Sequence, residues 1–205
     1  MKRRCIIILL IFIFFSGFTQ NFGGGIILGV SSSQVNGDDL GGFNKTGLLI
    51  GGFANKAISQ LFTFQMEMNY IMKGSNNKNM TNIEHKDYLR EDISLSYIEI
   101  PLLLQYQKNQ VIELEGGVLL GYLIDGFYND INGKLNNGIN PFIEYDLGAI
   151  LGLTYKHNEK IHANTRLSSS IIPIGKEDYE NNQAYNSSRK GKYNAVLSLA
   201  IHYNL

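Results

Sequence analysis

Apolar and polar side chains alternate along residues 61–73. Every second position from 62 to 72 is aromatic or Met, namely Phe62, Phe64, Met66, Met68, Tyr70 and Met72. The positions between them are mainly polar and include Thr63, Gln65, Glu67, Asn69 and Lys73. Successive side chains of a strand point to opposite faces, so the segment predicts a β-strand with one apolar face. That face is about eleven residues long, which is the length that a tilted strand needs to cross a bilayer.

Seven further segments alternate in the same way. They are Phe22–Ser31, Lys45–Asn55, Ile93–Tyr106, Val111–Ile124, Ile143–Tyr155, Ile161–Ile171 and Tyr193–Leu205. Some apolar residues break the alternation by falling on the mainly polar face: Leu49, Phe53, Leu95, Leu119, Leu123, Ile150 and Val196. Pro101 removes a ladder donor from the fourth segment and predicts a bulge or a local slip there. After the N-terminal region no run of about twenty apolar residues occurs, so the sequence predicts eight strands and no spanning helix.

The predicted connections are sorted by length. Three are short polar turns, at 56–60, 107–110 and 156–160, and four are long, at 32–44, 74–92, 125–140 and 173–192. Short and long connections alternate, as in outer-membrane barrels with tight periplasmic turns and long external loops. An even strand number places both chain termini of the barrel domain on the turn side, which is the periplasmic side of such barrels. The fold class predicted is therefore all-β, an eight-stranded antiparallel up-and-down transmembrane β-barrel.

The period of two does not say which face meets water. In a soluble lipocalin-like barrel the apolar face would line a ligand cavity, whereas in a membrane barrel it meets lipid. The polar faces are rich in Gly, at positions 23, 25, 29, 47, 51, 117, 121, 148 and 152, which fits a cramped interior better than a solvated surface. Tyr residues near the strand ends suit interfacial girdles. We therefore expect these side chains to face lipid: Phe62, Phe64, Met66, Met68, Tyr70, Leu102, Leu104, Leu120, Leu151 and Leu199.

The inward face then carries the charged side chains Lys45, Glu67, Lys73, Glu99, Glu113, Glu115, Glu144, Asp146, His162 and Arg166. Buried charges must be paired or hydrated, so the sequence predicts a structural salt-bridge network in the lumen around Arg166 and the lysines. A proton or ion path is the alternative, although an eight-stranded barrel is normally too narrow to conduct. Over the whole chain 18 basic residues balance 18 acidic ones, and nothing points to a nucleic-acid partner.

The N-terminus has the three parts of a secretory signal. Basic residues 2–4 precede an apolar core from Ile6 to Phe15, and the small residues Gly17 and Thr19 allow cleavage before Gln20. The predicted organisation is a signal peptide over residues 1–19 and a barrel domain over 20–205, with an uncleaved anchor as the alternative. The single Cys, Cys5, would leave with the signal, so the exported domain would contain no disulfide.

No catalytic constellation stands out, and we predict no enzyme activity, no cofactor and no metal. His162 and His202 are expected to face inward near the turn-side ends of neighbouring strands, where a pH-sensitive pair, or a metal or acid–base site with Glu113 or Glu115, is the alternative to a satisfied lumen network. A lipid-modifying barrel enzyme would need reactive groups on the outer rim. The candidate there is His85 with Glu84 and Asp87, in a loop without a defined nucleophile.

Three stretches resemble the PorT-like outer-membrane β-barrel family. They are residues 29–47 (GVSSSQVNGDDLGGFNKTG), 67–75 (EMNYIMKGS) and 95–104 (LSYIEIPLLL). The resemblance implies a small barrel in the outer membrane of a Gram-negative cell, and its founding member is linked to the type IX secretion apparatus. The family has no catalytic motif, so the resemblance implies fold and location and leaves envelope secretion components open as partners. Residues 203–205 are similar to a barrel-assembly signal but lack the usual final Phe.

The sequence therefore predicts an integral outer-membrane protein with a structural or interaction role in the cell envelope. Its expected partners are outer-membrane lipid, lipopolysaccharide and the barrel-assembly machinery. The alternatives are a lipid-modifying barrel enzyme and a soluble ligand-binding barrel.

Overall fold

The computed structural model describes residues 22–36, 42–76, 92–130, 133–134, 141–176 and 191–205. The predicted signal peptide at residues 1–19 and the rim candidate His85, with Glu84 and Asp87, lie outside these ranges.

The regular elements in the described ranges are all strands. Their bounds are β1 (Phe22–Asn36), β2 (Lys45–Ala57), β3 (Phe62–Asn76), β4 (Asp92–Gln107), β5 (Ile112–Asp130), β6 (Gly133–Lys134), β7 (Tyr145–Lys156), β8 (Ile161–Ser170) and β9 (Tyr193–Asn204). Over the same ranges, the structure has no helix that is long and apolar enough to cross a membrane.

Eight of the strands close into one ring. Each long strand pairs antiparallel with its neighbours in the order β1–β2–β3–β4–β5–β7–β8–β9, and β1 pairs with β9 to complete the circle. The two-residue β6 pairs only with the end of β5 and lies outside the ring. Because the ring is closed, each of its eight strands pairs with a neighbour on both sides, which satisfies backbone groups that the edges of an open sheet would expose. The predicted eight-stranded antiparallel barrel is confirmed.

The connections define two ends of the barrel. The turn side carries the β2–β3, β4–β5 and β7–β8 turns together with the start of β1 and the end of β9, and the loop side carries the four long connections. The turns are closed by polar side chains that accept backbone N–H bonds. Asn109 Oδ1 accepts from Val111 and Ile112, and Asn158 Oδ1 accepts in the same way from Lys160 and Ile161. Such side-chain-to-backbone bonds favour tight turns over continued strands.

Some strands run further toward the loop side than the alternation predicted. β1 reaches Asn36 rather than Ser31, and β5 reaches Asp130 rather than Ile124. In these two strands the ladder continues after the apolar alternation has ended. β7 differs, because it begins later than predicted, at Tyr145, and Ile143 is not part of it.

Pro101 does not shift the register, contrary to the expectation. The β3–β4 pairs stop at Met66↔Leu102 and resume at Asn69↔Glu99 in the same register, so the ladder is interrupted around the proline without a bulge. The missing proline N–H accounts for this gap. The bulge lies elsewhere, where β4 changes register against β5 between Ser96 and Tyr97.

The alternation separates the outer surface from the lumen. Phe62, Phe64, Met66 and Met68 are exposed on the outside of β3, whereas Gln65, Glu67, Asn69 and Lys73 on its other face are buried. The apolar residues that broke the pattern all lie inside the barrel, where Leu49, Phe53, Leu95, Leu119, Leu123, Ile150 and Val196 are buried. These exceptions are lumen-filling side chains rather than errors of register.

The face assignment predicts an asymmetric response to charge on β3. Met66 lies at the middle of the exposed apolar face and is 49% exposed. Met66→Arg should lower the free energy of unfolding in lipid vesicles by about 2–4 kcal/mol, because a cation at the bilayer midplane is poorly solvated. Met66→Leu, which keeps the volume and the apolar character, is the matched control and should cost less than about 1.5 kcal/mol. Equal costs in urea titrations would contradict the orientation of β3.

Candidate functional site: the charged lumen

Arg166 joins two carboxylates across the centre of the lumen. Its Nη1 and Nη2 each donate to one oxygen of Glu67 at 2.7 Å, a bidentate arrangement. Its Nε donates to Glu115 Oε1, and Nη2 also reaches Glu115 Oε2 at 3.3 Å. The three residues come from β8, β3 and β5 and are at most 6% exposed. We call this group the Arg166 cluster. Two-pronged Arg–carboxylate bonds are among the strongest polar contacts in proteins.

Amide side chains complete the hydrogen bonding of both carboxylates of the Arg166 cluster. Gln65 and Asn69 donate to Glu67 at 2.6 and 2.8 Å, while Asn164 and Gln105 donate to Glu115 at 2.8 and 3.3 Å. Each carboxylate therefore accepts four hydrogen bonds, which fills its roughly four lone-pair positions. A carboxylate that is saturated in this way has no free acceptor position for a substrate proton. The geometry makes the cluster a structural crosslink.

A second charged cluster lies nearer the loop side. Lys73 Nζ contacts Glu99 Oε1 and lies 3.4 Å from Asp146 Oδ2, and Asn194 Nδ2 donates to the same Asp146 oxygen at 3.0 Å. The ammonium also lies 5.0 Å from the ring centroid of Tyr97, within the range of a cation–π contact. Tyr97 OH, Asp146 Oδ1 and Asn194 Oδ1 have no hydrogen-bond partner among the described residues. This cluster is therefore less fully satisfied than the Arg166 cluster.

Two further ion pairs lie toward the ends of the lumen. On the loop side Lys45 Nζ lies 2.7 Å from Asp92 Oδ1, and on the turn side Lys156 Nζ lies 2.5 Å from Glu113 Oε1. Both pairs are less deeply buried than the central clusters. Of the predicted network, Glu144 is a wrong assignment: it is exposed and precedes the first residue of β7, so the strand alternation does not apply to it.

Small residues make room for these charged side chains. A Cβ built on Gly152 would lie 2.9 Å from Arg166 Cγ and closer still to Glu115 Oε1. On the outside of the barrel, a Cβ on Gly116 would meet Leu151 Cδ2 at an ordinary 3.5 Å. The inward glycine at 152 thus leaves the space that the Arg166 cluster occupies, as the sequence predicted for a cramped interior.

Apolar side chains cover the loop side of the lumen. Val35, Ile93, Leu95 and Leu123 belong to one buried cluster with Phe142 and Ile174, which come from the connections outside the strands. Backbone bonds hold those two connections together, from Ile143 N to Ile174 O and from Lys176 N to Pro141 O, with an isolated bridge between Phe142 and Gly175. Phe142 and Ile174 are 1% and 0% exposed. We call this group the loop-side cover, and alternation could not predict it because its central members lie in irregular segments.

The turn side of the lumen holds a cavity of about 270 Å³. Its lining consists of Phe53, Asn55, Ala57, Thr63, Gln65, Gln105, Gln107, Glu113, Thr154, Lys156, His162, His202 and Asn204. All of these lie at the turn-side ends of the strands, and Gln65 and Gln105 also hold the Arg166 cluster. The lumen is therefore packed in its centre, covered on the loop side and recessed on the turn side.

Comparison with known proteins agrees with this architecture. A family model described as "Outer membrane protein beta-barrel domain" matches residues 16–175. The chain belongs to this family. Its location is thus the outer membrane, as the sequence predicted. No curated protein matches the chain.

Two solved structures show the same fold as this outer-membrane barrel. The attachment invasion locus protein Ail of Yersinia pestis is 11% identical, with a TM-score of 0.50, over 89% of this chain and 98% of Ail. Neisserial surface protein A is also 11% identical, with a TM-score of 0.51, over 90% of this chain and 97% of that protein. At this identity the likeness concerns the fold alone.

Removing Arg166 should be far more costly than removing a peripheral cation. Arg166→Met leaves Glu67 and Glu115 buried without their counter-charge, and the free energy of unfolding should fall by about 3–5 kcal/mol. Lys45→Met breaks the partly exposed pair with Asp92 and should cost about 0–1 kcal/mol. Urea unfolding in detergent micelles measures both free-energy changes. Because the chain has no Trp, unfolding is followed by far-UV circular dichroism. Comparable costs would show that Arg166 does not hold the lumen together.

Proposed function

We propose that this outer-membrane barrel is a non-conducting envelope protein that acts through structure or interaction. The observation that carries the proposal is the filled lumen. The Arg166 cluster crosses its centre, and the loop-side cover places Phe142 and Ile174, both almost fully buried, above it. An ion would have to displace a saturated charge cluster and then pass a layer of apolar side chains, and each step is unfavourable.

Lipid contact by the outer surface is part of the same proposal. The side chains proposed to face lipid are Phe62, Phe64, Met66, Met68, Tyr70, Leu102, Leu104, Leu120, Leu151 and Leu199, and each is at least partly exposed on the outside of the barrel. From Phe62 to Met72 the face spans eleven residues, which are ten steps along the strand. At about 3.3 Å per residue and a tilt of 35–45° this rises roughly 25 Å, the height of the apolar band of such barrels. The agreement between the rise of this apolar face and the height of the apolar band supports the proposed contact with lipid.

An interaction role is supported by the arrangement of the long connections. With apolar strands in lipid, the four long connections of the loop side face the cell exterior and are free to meet lipopolysaccharide or a macromolecule. The protein Ail, which has the same fold, is named for attachment. From this likeness we propose for this chain only a role in interaction, without a named partner. The PorT-like resemblance adds an envelope secretion component as a more specific candidate partner.

We further propose that the protein has no enzymatic activity and that it is exported with a cleaved signal peptide. Both carboxylates of the Arg166 cluster already accept four hydrogen bonds each, which argues against acid–base chemistry there. The basic and apolar segments at residues 2–15 support export. Tyr203 on the outer face of β9 and Leu205, which follows the strand, are both exposed and support recognition by the barrel-assembly machinery.

Single-channel recording tests the non-conducting assignment. Purified protein inserted into a planar bilayer should give no unitary current steps at either polarity, because the lumen is blocked at its centre and on the loop side. A porin inserted into the same bilayer is the positive control, and heat-modifiable gel mobility verifies that the test protein is folded. Reproducible steps from the folded protein would overturn the assignment and favour an ion path through the charged lumen.

A further inference from the structure

Two of the histidines lie side by side in the turn-side cavity. His162 on β8 and His202 on β9 are direct cross-strand partners, and both line the cavity of about 270 Å³. Opposite residues of an antiparallel pair point to the same face, with Cβ atoms about 4.5–5.5 Å apart. Two imidazoles at that separation can turn their ring nitrogens toward one common point. The strand register thus places two nitrogen ligands at one site.

One of these imidazoles has an unused nitrogen. His202 is 3% exposed, its ring lies 5.5 Å from that of Phe53, and its Nε2 has no hydrogen-bond partner among the described residues. Leaving a buried polar atom unpaired costs free energy, so such an atom calls for a ligand or a functional reason. His162 is half-buried, and its Nε2 lies 3.3 Å from Asn204 Nδ2, which also donates to Glu159 O at 2.8 Å. A metal ion at His162 Nε2 would replace this contact with the Asn204 amide, whereas His202 Nε2 has no partner to give up among the described residues.

The charged side chains around His162 and His202 do not exclude a bound cation. Lys156 is the cross-strand neighbour of His162 on β7, but its ammonium is paired with Glu113, which lines the same cavity. Arg166, deeper in the lumen, is held between Glu67 and Glu115. Each cation that faces the histidines is thus matched by at least one carboxylate. The remaining lining is largely amide and hydroxyl groups, which can hold metal-bound water.

We propose that His162 and His202 form a two-histidine site for a divalent transition-metal ion at the turn-side opening of the lumen. Imidazole nitrogen favours zinc, copper and nickel over the hard cations magnesium and calcium. Among the described residues no set of three or more His, Cys, Asp or Glu is placed to hold a metal. The proposed site has His162 and His202 as its protein ligands, and water fills the other positions, which makes it an exchangeable site rather than a closed structural one. This revises the sequence-based expectation of no metal.

Calorimetric titration of the folded, metal-free protein in detergent with Zn²⁺, and in parallel with Mg²⁺, tests the proposal. Zn²⁺ should bind with one ion per barrel and Mg²⁺ should not bind. His162→Ala and His202→Ala should each weaken Zn²⁺ binding about tenfold or more, since each removes one of two protein ligands. His157→Ala is the matched control, because His157 is exposed in the β7–β8 turn and does not line the cavity, and it should leave binding unchanged.

A second readout keeps the test decisive if His202→Ala does not fold. Histidine ring nitrogen signals of the unmodified protein, recorded by NMR, should shift on addition of Zn²⁺ for His162 and His202 and stay in place for His157. Folding of every variant is checked by heat-modifiable mobility. The proposal is overturned if His162→Ala binds Zn²⁺ as the unmodified protein does, if His157→Ala abolishes binding, or if the unmodified protein binds no Zn²⁺.

Discussion

The constraint on which the structure depends is that the barrel buries charged side chains in its centre, beside apolar ones such as Leu103, Leu119 and Ile150. Most apolar side chains of this outer-membrane barrel lie on the outer face, so lumen packing cannot rely on apolar residues alone. The contacts between Arg166, Glu67 and Glu115 join β8, β3 and β5, three strands that are not paired with one another in the ring. Amide side chains that donate to the remaining acceptor positions of both carboxylates offset the cost of burying these charges. An unpaired charge in the same place would cost several kcal/mol. The inward glycines follow from it, since a charged crosslink needs space in a narrow ring.

The lumen differs from one end to the other. Apolar residues of the loop-side cover close one end, whereas amides, hydroxyls, two histidines and the Lys156–Glu113 ion pair line the recess on the turn side. A uniform pore would carry similar polar lining throughout. The two ends of the lumen therefore differ in chemistry: apolar side chains cover the loop side, and the turn side opens into a small polar recess.

The sequence revealed the strands and their faces because both depend on local alternation. Met66 and Gln65 could be assigned to opposite faces from their positions alone. Which charges meet could not be predicted, since Arg166 and Glu67 are 99 residues apart and their contact depends on the closed register of the ring. Glu144 was assigned to the wrong face because side chains alternate between faces only inside a strand, and β7 starts one residue later, at Tyr145. Phe142 and Ile174 gave no periodic signal because they reach the lumen from irregular connections.

Spin-label accessibility along β3 tests whether lipid lies outside the barrel and a packed, charged lumen lies inside it. Single cysteines are introduced one at a time at positions 62–73 in a Cys5→Ser background, labelled, and reconstituted into lipid vesicles. Collision rates with oxygen, which partitions into lipid, and with a water-soluble nickel chelate are then measured by electron paramagnetic resonance. The account predicts a period of two, with high oxygen and low chelate collision at even positions and low collision with both at odd positions. High chelate collision at the even positions would contradict it, because the apolar face would then meet water.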